Sequence, residues 1–558
     1  MPALLGAVPA SPPGVSYTLS PELHDGVITA LRVEARFTGD RDGRTIFDWA
    51  ESWAGETRLG QWARDLTVAG ATRVEPATHG GRVIVARPGA SITVRYRIVS
   101  AFNGDPTVAD SQQPRPVVRP TWFYGVGEAL FAVPQKRDNA PVRFSWAGPA
   151  GIGFASDLQH PSARPGLATK TVEDLTESVV IGGRDIRLTS LAAGGAPLRI
   201  ATVGRYGFDL AAFETMAAGV VGAERRFWGE TDRQPFLIAM TPLVSSPSRL
   251  SYSGTGRSDA FALWMDPQAP LADLAWLLGH EYFHSWNSRQ LGALGEGEQE
   301  KRRYWFSEGF TDFYARRLML RAGLMTPERF VASWNDTLAA YAASPLRLAT
   351  NATAAARFWT DEAAEKLPYQ RGAMMAAWWD ARLHATGASL DAIMRNQRVR
   401  TRTARPMPAV TDLFVRAAAA HGLDVRPDVD RFLERGEAIE LPRDTFGPCA
   451  EVERITRPVF ARGYDAAATG KAGVVTGVDP ASPAYAAGLH DGMTILRRLA
   501  GTPGDSRVEY GLRVRDGADE RTISFRPAGR TSETLQQIVL DPARFAATPA
   551  ACTASLAG

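Results

Sequence analysis

Cysteine is scarce in this 558-residue chain, which contains only two, Cys449 and Cys552. The two thiols either stay unlinked or form one disulfide. A bridge closing a loop of about 100 residues would stabilise the fold by about 4 to 5 kcal/mol in the chain-entropy model. Because pairing depends on the Cα separation, the sequence leaves both alternatives open.

An excess of charge of one sign and long apolar runs are also lacking. The chain has 63 Lys and Arg against 60 Asp and Glu, a net charge of +3. This is too small per residue to predict a nucleic-acid partner. No apolar run reaches the roughly 18 residues that span a bilayer. The opening MPALLGAVPASPPG also lacks the pattern of a secretory signal. We therefore expect no membrane span, and either a cytoplasmic protein or one whose signal has been removed.

The chain is long enough for several domains, and its 45% hydrophobic and 22% charged residues are typical of a folded globular protein. Short strands separated by turns predict a β-rich domain over residues 15–181. Helical patterns follow the apolar strand PFLIAM and predict a second domain, 182–440, with a helical lobe. Strands return in a third region, 450–545. The expected fold class is multidomain α+β.

The strongest motif is HEYFH at residues 280–284, within a helical pattern that begins after Pro270 and has no breaker other than Gly279. Residues four apart lie on one face of a helix, so His280 and His284 can bind one metal ion between them. Glu281 then lies beside the metal. Zinc lowers the pKa of a bound water, and a neighbouring carboxylate can accept its proton during attack on a carbonyl. The motif therefore predicts a zinc hydrolase.

A catalytic zinc site needs a third protein ligand. The metzincin pattern would place a histidine six residues after His284, but that residue is Gln290, so this subclass is excluded. Glu308 lies in the helical segment YWFSEGFTDFY, among aromatic residues where a carboxylate needs a partner. Glutamates in the charged loop at 292–303 are instead expected to face solvent. We therefore predict Glu308 as the third ligand.

Two further residues near Glu308 are candidates for supporting the metal ligands. Asp312 lies one helical turn after Glu308, where it can accept an imidazole N–H and fix the tautomer, or can be a solvated surface residue. Ser307 can hydrogen-bond the other histidine or can cap the helix.

The combination of HEYFHSWN, YWFSEGFTDFY and PYQRGAMMAAWWD with an N-terminal β-domain resembles the glycyl aminopeptidase family of gluzincin metallopeptidases. The resemblance covers nearly the whole chain. It implies a thermolysin-like catalytic domain, one zinc ion and peptide substrates that lose small N-terminal residues such as glycine or alanine. It also implies that Tyr369, in a Tyr-x-x-Gly motif, hydrogen-bonds the oxyanion of the tetrahedral intermediate. Together with the alternative in which Cys449 and Cys552 pair, the resemblance favours a periplasmic or secreted enzyme.

One segment departs from the family pattern. The family carries a glutamate before the catalytic helix that holds the substrate's α-ammonium, but in YSGTGRSDAFALW the corresponding residue is Gly256. Asp259 either substitutes for it or is a loop residue. Arg257 would repel an N-terminal amine and favour a carboxylate or an internal peptide, unless its side chain points to solvent.

The segment AGVVTGVDPASPAYAAGLHDGMTILR, residues 472–497, resembles a PDZ domain, which implies either peptide binding at a sheet edge or a purely architectural module. Three functions follow as hypotheses. The first is a zinc aminopeptidase, the second an endopeptidase of the same chemistry, and the third a peptide-binding protein with a vestigial zinc site. The sequence carries no signal for the natural substrate or the oligomeric state.

Overall fold

The computed structural model describes residues 14–107, 114–159, 170–230, 235–245, 252–257, 259–287, 289–404, 406–501 and 504–558. These residues form two compact units, one ending at Pro270 and the other beginning at Leu271. The first is rich in strands and the second is mostly helical. The predicted α+β class with a β-rich N-terminal region is therefore confirmed, whereas the boundaries 15–181, 182–440 and 450–545 stay a prediction.

The first unit begins with fifteen described strands. They are Val15–His24 (β1), Val27–Thr38 (β2), Arg44–Asp48 (β3), Ser52–Trp53 (β4), Glu56–Thr57 (β5), Ala63–Ala69 (β6), Arg73–Pro76 (β7), Arg82–Val85 (β8), Ser91–Ile98 (β9), Val117–Val118 (β10), Trp122–Val126 (β11), Val133–Pro134 (β12), Val142–Trp146 (β13), Gly153–Ser156 (β14) and Val179–Gly183 (β15). Two short helices, Gly127–Leu130 (α1) and Val172–Thr176 (α2), lie among them.

These strands form sheets whose faces share one core. Their orders are β13-β1-β2-β9-β6, β12-β3-β8-β7 and β10-β11-β15-β14, with β4 and β5 as a separate hairpin. Along β1 buried and more exposed residues alternate, as in a strand that covers a core on one face. Tyr17 and Trp49 are fully buried in that core, and the Tyr17 hydroxyl donates to the carbonyl of Ala132.

A mixed five-stranded sheet completes the first unit. Its strands are Arg187–Ala193 (β16), Ala196–Thr202 (β17), Phe236–Pro242 (β18), Tyr252–Gly256 (β19) and Ala260–Met265 (β20), with helix Leu210–Trp228 (α3) between β17 and β18. The order is β16-β17-β18-β20-β19, with β17, β18 and β20 parallel. β20 is buried along its whole length, which accounts for its continuous apolar sequence. The two edge strands, β16 and β19, run antiparallel to their neighbours.

The second unit contains a series of helices. They are Leu271–Phe283 (α4), Glu298–Lys301 (α5), Tyr304–Arg321 (α6), Pro327–Ala343 (α7), Asn351–Arg357 (α8), Glu362–His384 (α9), Leu390–Thr401 (α10), Val410–Ala420 (α11) and Arg426–Val429 (α12). Threonine and serine side chains cap several of them, as Thr326 does for α7 through the backbone N–H of Arg329.

Helices α6 and α9 approach each other at two glycines. A Cβ on Gly372 would lie 1.8 Å from the carbonyl oxygen of Trp305, and one on Gly309 would lie 2.3 Å from the Cα of Gly372. Any side chain at these positions would force the helices apart. The pair of glycines therefore fixes the spacing between the helix that carries Glu308 and the helix that carries Tyr369.

The C-terminal part of the second unit returns to strands. Strand Ala450–Phe460 (β21) pairs antiparallel with Ala528–Leu540 (β25), and between them lies the sheet Thr494–Ala500 (β22), Tyr510–Asp516 (β23) and Asp519–Phe525 (β24). Helices Ala466–Ala472 (α13), Pro483–Ala486 (α14), Pro542–Ala547 (α15) and Pro549–Ala557 (α16) complete it. The resemblance of this part to a PDZ domain stays a prediction.

The two cysteines form a disulfide. Cys449 and Cys552 are joined with their Cα atoms 5.4 Å apart, so the structure decides between the two alternatives that the sequence left open. Among the helices described, none combines the length and the apolar character that crossing a membrane requires.

Candidate metal centre

The two histidines of the motif lie at the C-terminal end of α4. The helix ends at Phe283, so His280 lies in its last turn and His284 in the turn that follows. The Nε2 atoms of the two imidazoles are 3.1 Å apart. His280 is buried at 5% exposure. The predicted helix therefore places both rings on one face, although it is shorter than the sequence pattern.

Glu308 reaches this pair from α6. Its Oε2 lies 3.4 Å from Nε2 of His280 and 3.2 Å from Nε2 of His284. Zinc bonds of about 2.0 to 2.2 Å in tetrahedral geometry place neighbouring ligand atoms about 3.3 Å apart. The three separations match the edges of such a tetrahedron, and two imidazoles with one carboxylate are a zinc donor set. Within the described residues, no other group of three or more His, Cys, Asp or Glu side chains forms a comparable cluster.

The charges of the cluster favour a cation. Burial opposes ionisation of Glu308, but the charge of His284 and hydrogen bonds from both histidines outweigh it and hold the pKa of Glu308 well below its usual range. Burial also disfavours a charged His280, yet hydrogen bonds to Asp312 and Glu308 raise the pKa of His280 to about 10. Glu308 is therefore ionised at neutral pH, as a carboxylate that binds a metal ion must be.

Asp312 and Ser307 both contact the ligands. Asp312 Oδ1 lies 2.8 Å from Nδ1 of His280, the arrangement expected of a carboxylate that fixes an imidazole with its Nε2 toward a metal. Ser307 is fully buried, and its hydroxyl donates to Glu308 Oε1 at 3.1 Å. Because α6 begins at Tyr304, Ser307 is not an N-cap residue, and that alternative is wrong.

Tyr369 lies beside the cluster on α9. Its ring stacks on that of His280, with centroids 5.9 Å apart and planes 18° from parallel. Burial, followed by the charges of Glu308, Asp312 and Glu281, raises the pKa of Tyr369 well above its usual value. The phenol is therefore protonated at neutral pH and available as a hydrogen-bond donor.

Asn287 is a residue of this centre that the sequence reasoning missed. It is fully buried, and its side-chain amide donates to the carbonyls of Phe306 and Ser307 and to Thr311 Oγ1, at 3.1, 2.9 and 3.0 Å. One side chain thus ties the end of the histidine segment to the first turns of α6, where Glu308 lies. Its position three residues after His284 was the available signal.

The candidate substrate-binding residues lie in the first unit and have partners there. Asp259 Oδ2 is 2.6 Å from Nζ of Lys170. Arg257 is buried at 4% exposure, forms an ion pair with Glu128 and lies 4.2 Å over the ring of Trp53. Gly256 ends β19. Because Asp259 is already paired with the ammonium group of Lys170, it is a poor anchor for the amine of a substrate. The alternative in which the Arg257 side chain points to solvent is wrong, because that side chain is buried and paired with Glu128.

The fold and the His-His-Glu cluster beside a HExxH glutamate define a zinc metallopeptidase. Residues 273–375, which hold the cluster and Tyr369, match the family of M61 glycyl aminopeptidases. The recognition made from the sequence motifs is thereby confirmed.

Solved structures resemble the chain at low sequence identity. The chain matches an aminopeptidase N family protein from Idiomarina loihiensis with a TM-score of 0.69 and 16% identity, over 98% of this chain and 99% of that one. An M1 zinc metallopeptidase from Deinococcus radiodurans matches with a TM-score of 0.47 and 14% identity, over 77% and 95%. No curated protein matches the sequence. The chain shares its fold with the Idiomarina loihiensis protein over almost its whole length.

Proposed function

We propose that this protein is an aminopeptidase that uses one zinc ion to remove glycine or alanine from the N-terminus of peptides. The observation that carries the proposal is the tetrahedral spacing of His280, His284 and Glu308, within the segment that matches glycyl aminopeptidases. These three residues would hold the zinc, which when bound supplies a Lewis acid that lowers the pKa of water and polarises the peptide carbonyl.

The remaining steps belong to side chains of this chain. Glu281 follows His280 on α4, and its negative charge helps to raise the pKa of both His280 and Tyr369, although burial and the carboxylates of Asp312 and Glu308 have larger effects. It accepts the proton of the attacking water and passes it to the leaving amine. The Tyr369 phenol donates to the oxygen that becomes negative in the tetrahedral intermediate.

Replacing Tyr369 by phenylalanine should lower kcat by about 10²- to 10³-fold, because one oxyanion donor is removed. Zinc content should not change, since the phenol is not a ligand in the proposed site. Steady-state kinetics on an alanine arylamide, with zinc measured by atomic emission, check this. Tyr304→Phe is a matched control, because that hydroxyl donates to Glu300 at 3.0 Å and should be dispensable. A Tyr369→Phe rate within about five-fold of wild type would remove the tyrosine from the mechanism.

Specificity for a free N-terminus is the step that the site supports least, because the pairing of Asp259 with Lys170 leaves the amine anchor unassigned. This pairing favours the second hypothesis, an endopeptidase of the same chemistry. Glycine, alanine and leucine arylamides should be compared with a library of N-acetylated peptides, with and without a zinc chelator. Chelator-sensitive release of glycine and alanine from the free amines alone supports the aminopeptidase. Cleavage of acetylated peptides makes it an endopeptidase, and no cleavage of either favours the peptide-binding hypothesis.

A periplasmic or secreted location is part of the proposal. It is supported by the Cys449–Cys552 disulfide, because such bonds persist mainly in oxidising compartments. Intact cells should be treated with an alkylating agent and the protein examined by mass spectrometry. Cys449 and Cys552 should stay unmodified before reduction, because they are held in the disulfide, and should be alkylated only after reduction. Peptide binding by the C-terminal part has weaker support, since residues 466–472 of this part form helix α13 and offer no strand edge there.

A further inference from the structure

Asp312 has two carboxylate oxygens, and each faces a different partner. Oδ1 lies 2.8 Å from Nδ1 of His280. Oδ2 lies 3.9 Å from a terminal nitrogen of Arg316, one helical turn further along α6. The Asp312 side chain is only 8% exposed, so solvent does little to fix its rotamer. The guanidinium is therefore a second group that can hold this carboxylate toward His280.

Arg316 is itself fixed in place. Its side chain is 6% exposed, Nε donates to Ser333 Oγ at 3.1 Å, and Nη2 donates to Thr337 Oγ1 at 2.8 Å, both on α7. The guanidinium also lies 5.0 Å from the ring of Trp334 and 6.0 Å from that of Trp276. Trp276 precedes His280 by one turn on α4. The charge is thus held at the junction of three helices, α4, α6 and α7.

A buried cation in such a place needs a carboxylate. Asp312 and Asp336 are the acids whose charges act on Arg316, with Asp312 contributing more. Asp336 forms no ion pair with Arg316 within 4 Å in the described residues, so the cation is directed mainly at the residue that contacts a metal ligand. The neighbouring Arg317, although equally buried, is paired with Asp380 at 2.6 Å instead.

We propose that Arg316 is a positioning residue of the metal centre: it holds Asp312 in the rotamer that orients His280, and so increases zinc affinity. Partners of metal-bound imidazoles fix the ring orientation, and their loss lowers metal affinity about 10- to 100-fold. Arg316 lies near Asp312 and is not itself a partner of the imidazole. Its effect on zinc affinity should therefore depend on the presence of the Asp312 carboxylate. The inference rests on the zinc site of the proposed function, but not on its substrate.

Zinc affinity of the full chain should be measured by competition with a chromophoric chelator. We expect Asp312→Asn to weaken zinc binding about 10- to 100-fold and Arg316→Met to weaken it about 10-fold. The double variant should bind zinc no more weakly than Asp312→Asn alone, since residues that act through one another are non-additive. The cobalt-substituted Arg316→Met protein should show altered visible absorption bands, which a loss of overall stability would not produce.

Arg317→Met is the matched control, because it removes a buried guanidinium from the same helix without touching Asp312. It should lower stability and leave zinc affinity unchanged. If Arg316→Met does not fold, Arg316→Lys supplies the test. The lysine keeps the charge but cannot reproduce the fork held by Ser333 and Thr337, so we expect a loss of about three-fold.

Unchanged zinc affinity in the folded Arg316 variant would overturn the inference. So would effects that add in the double variant, or an equal loss in Arg317→Met. The proposed function fails separately, since a wild-type chain that binds no zinc would refute both, and one that binds zinc but cleaves nothing would refute only the proposed reaction.

Discussion

Glu281→Gln should lower the rate of peptide hydrolysis by about 10²- to 10⁴-fold and leave zinc bound, because the amide cannot accept the proton of the attacking water. Glutamine keeps the size and most of the shape of the side chain, so His280 and His284 should stay where α4 places them. The rate should be measured on an alanine arylamide at saturating substrate, and zinc content on the same preparation. The expected pattern is a full complement of metal with almost no turnover.

The control for Glu281→Gln is Glu298→Gln, which neutralises an exposed glutamate at the start of the short helix α5 and removes its ion pair with Arg302. That variant should keep wild-type activity. Loss of zinc in Glu281→Gln would mean that the carboxylate helps to hold the metal. Activity within about ten-fold of wild type, with zinc bound, would show that another group accepts the proton.

The parts of the centre that the sequence predicted are those fixed by local geometry. His280 and His284 are one helical turn apart, so any helix brings them together. Glu308 and Asp312 are related in the same way on α6, and the aromatic residues around Glu308 indicated a buried carboxylate that needs a partner. Sequence reasoning therefore found the residues of each helix without knowing how the two helices pack.

The parts that it did not predict depend on contacts between segments far apart in the chain. The start of α9 is one such part, because Pro368, just before Tyr369, is unfavourable inside a helix on local grounds. In the structure α9 begins at Glu362, capped by Asp361, and continues through the proline. Proline costs an internal helix about 3 kcal/mol, and here the packing of α9 on α6 outweighs that preference. Propensity is a local quantity and carries no information about such packing.

Buried charges are the other feature that was misjudged. Arg257 and Asp259 read as exposed or substrate-binding groups because their partners, Glu128 and Lys170, lie 129 and 89 residues away in the chain. Nothing in the local sequence identifies an ion pair of that separation. The same holds for Arg316, whose partners on α7 follow only from how two helices meet.

Removing the Cys449–Cys552 disulfide should lower the free energy of unfolding by about 4 to 5 kcal/mol, since the loop that it closes has a sequence separation of 103. The bond joins the residue before β21 to α16. The backbone carbonyl of Ala557 at the end of α16 accepts hydrogen bonds from Arg317 and Arg321 of α6. The cross-link therefore ties the C-terminal segment to the helix that carries Glu308. With a urea slope of about 3 kcal/mol per molar, the midpoint should fall by more than 1 M.

The wild-type chain, reduced in urea and refolded under a reducing agent, is the matched comparison for Cys449→Ala with Cys552→Ala. Both cysteines are almost fully buried, so the alanines also remove packed sulfur atoms, whereas reduction removes only the bond. If both forms unfold at the same lower urea concentration, the cross-link itself accounts for the loss. A reduced chain as stable as the oxidised one would show that the contacts of α16 hold the C-terminal segment in place without the bond. In that case the disulfide would contribute little to the stability of the metal centre's unit.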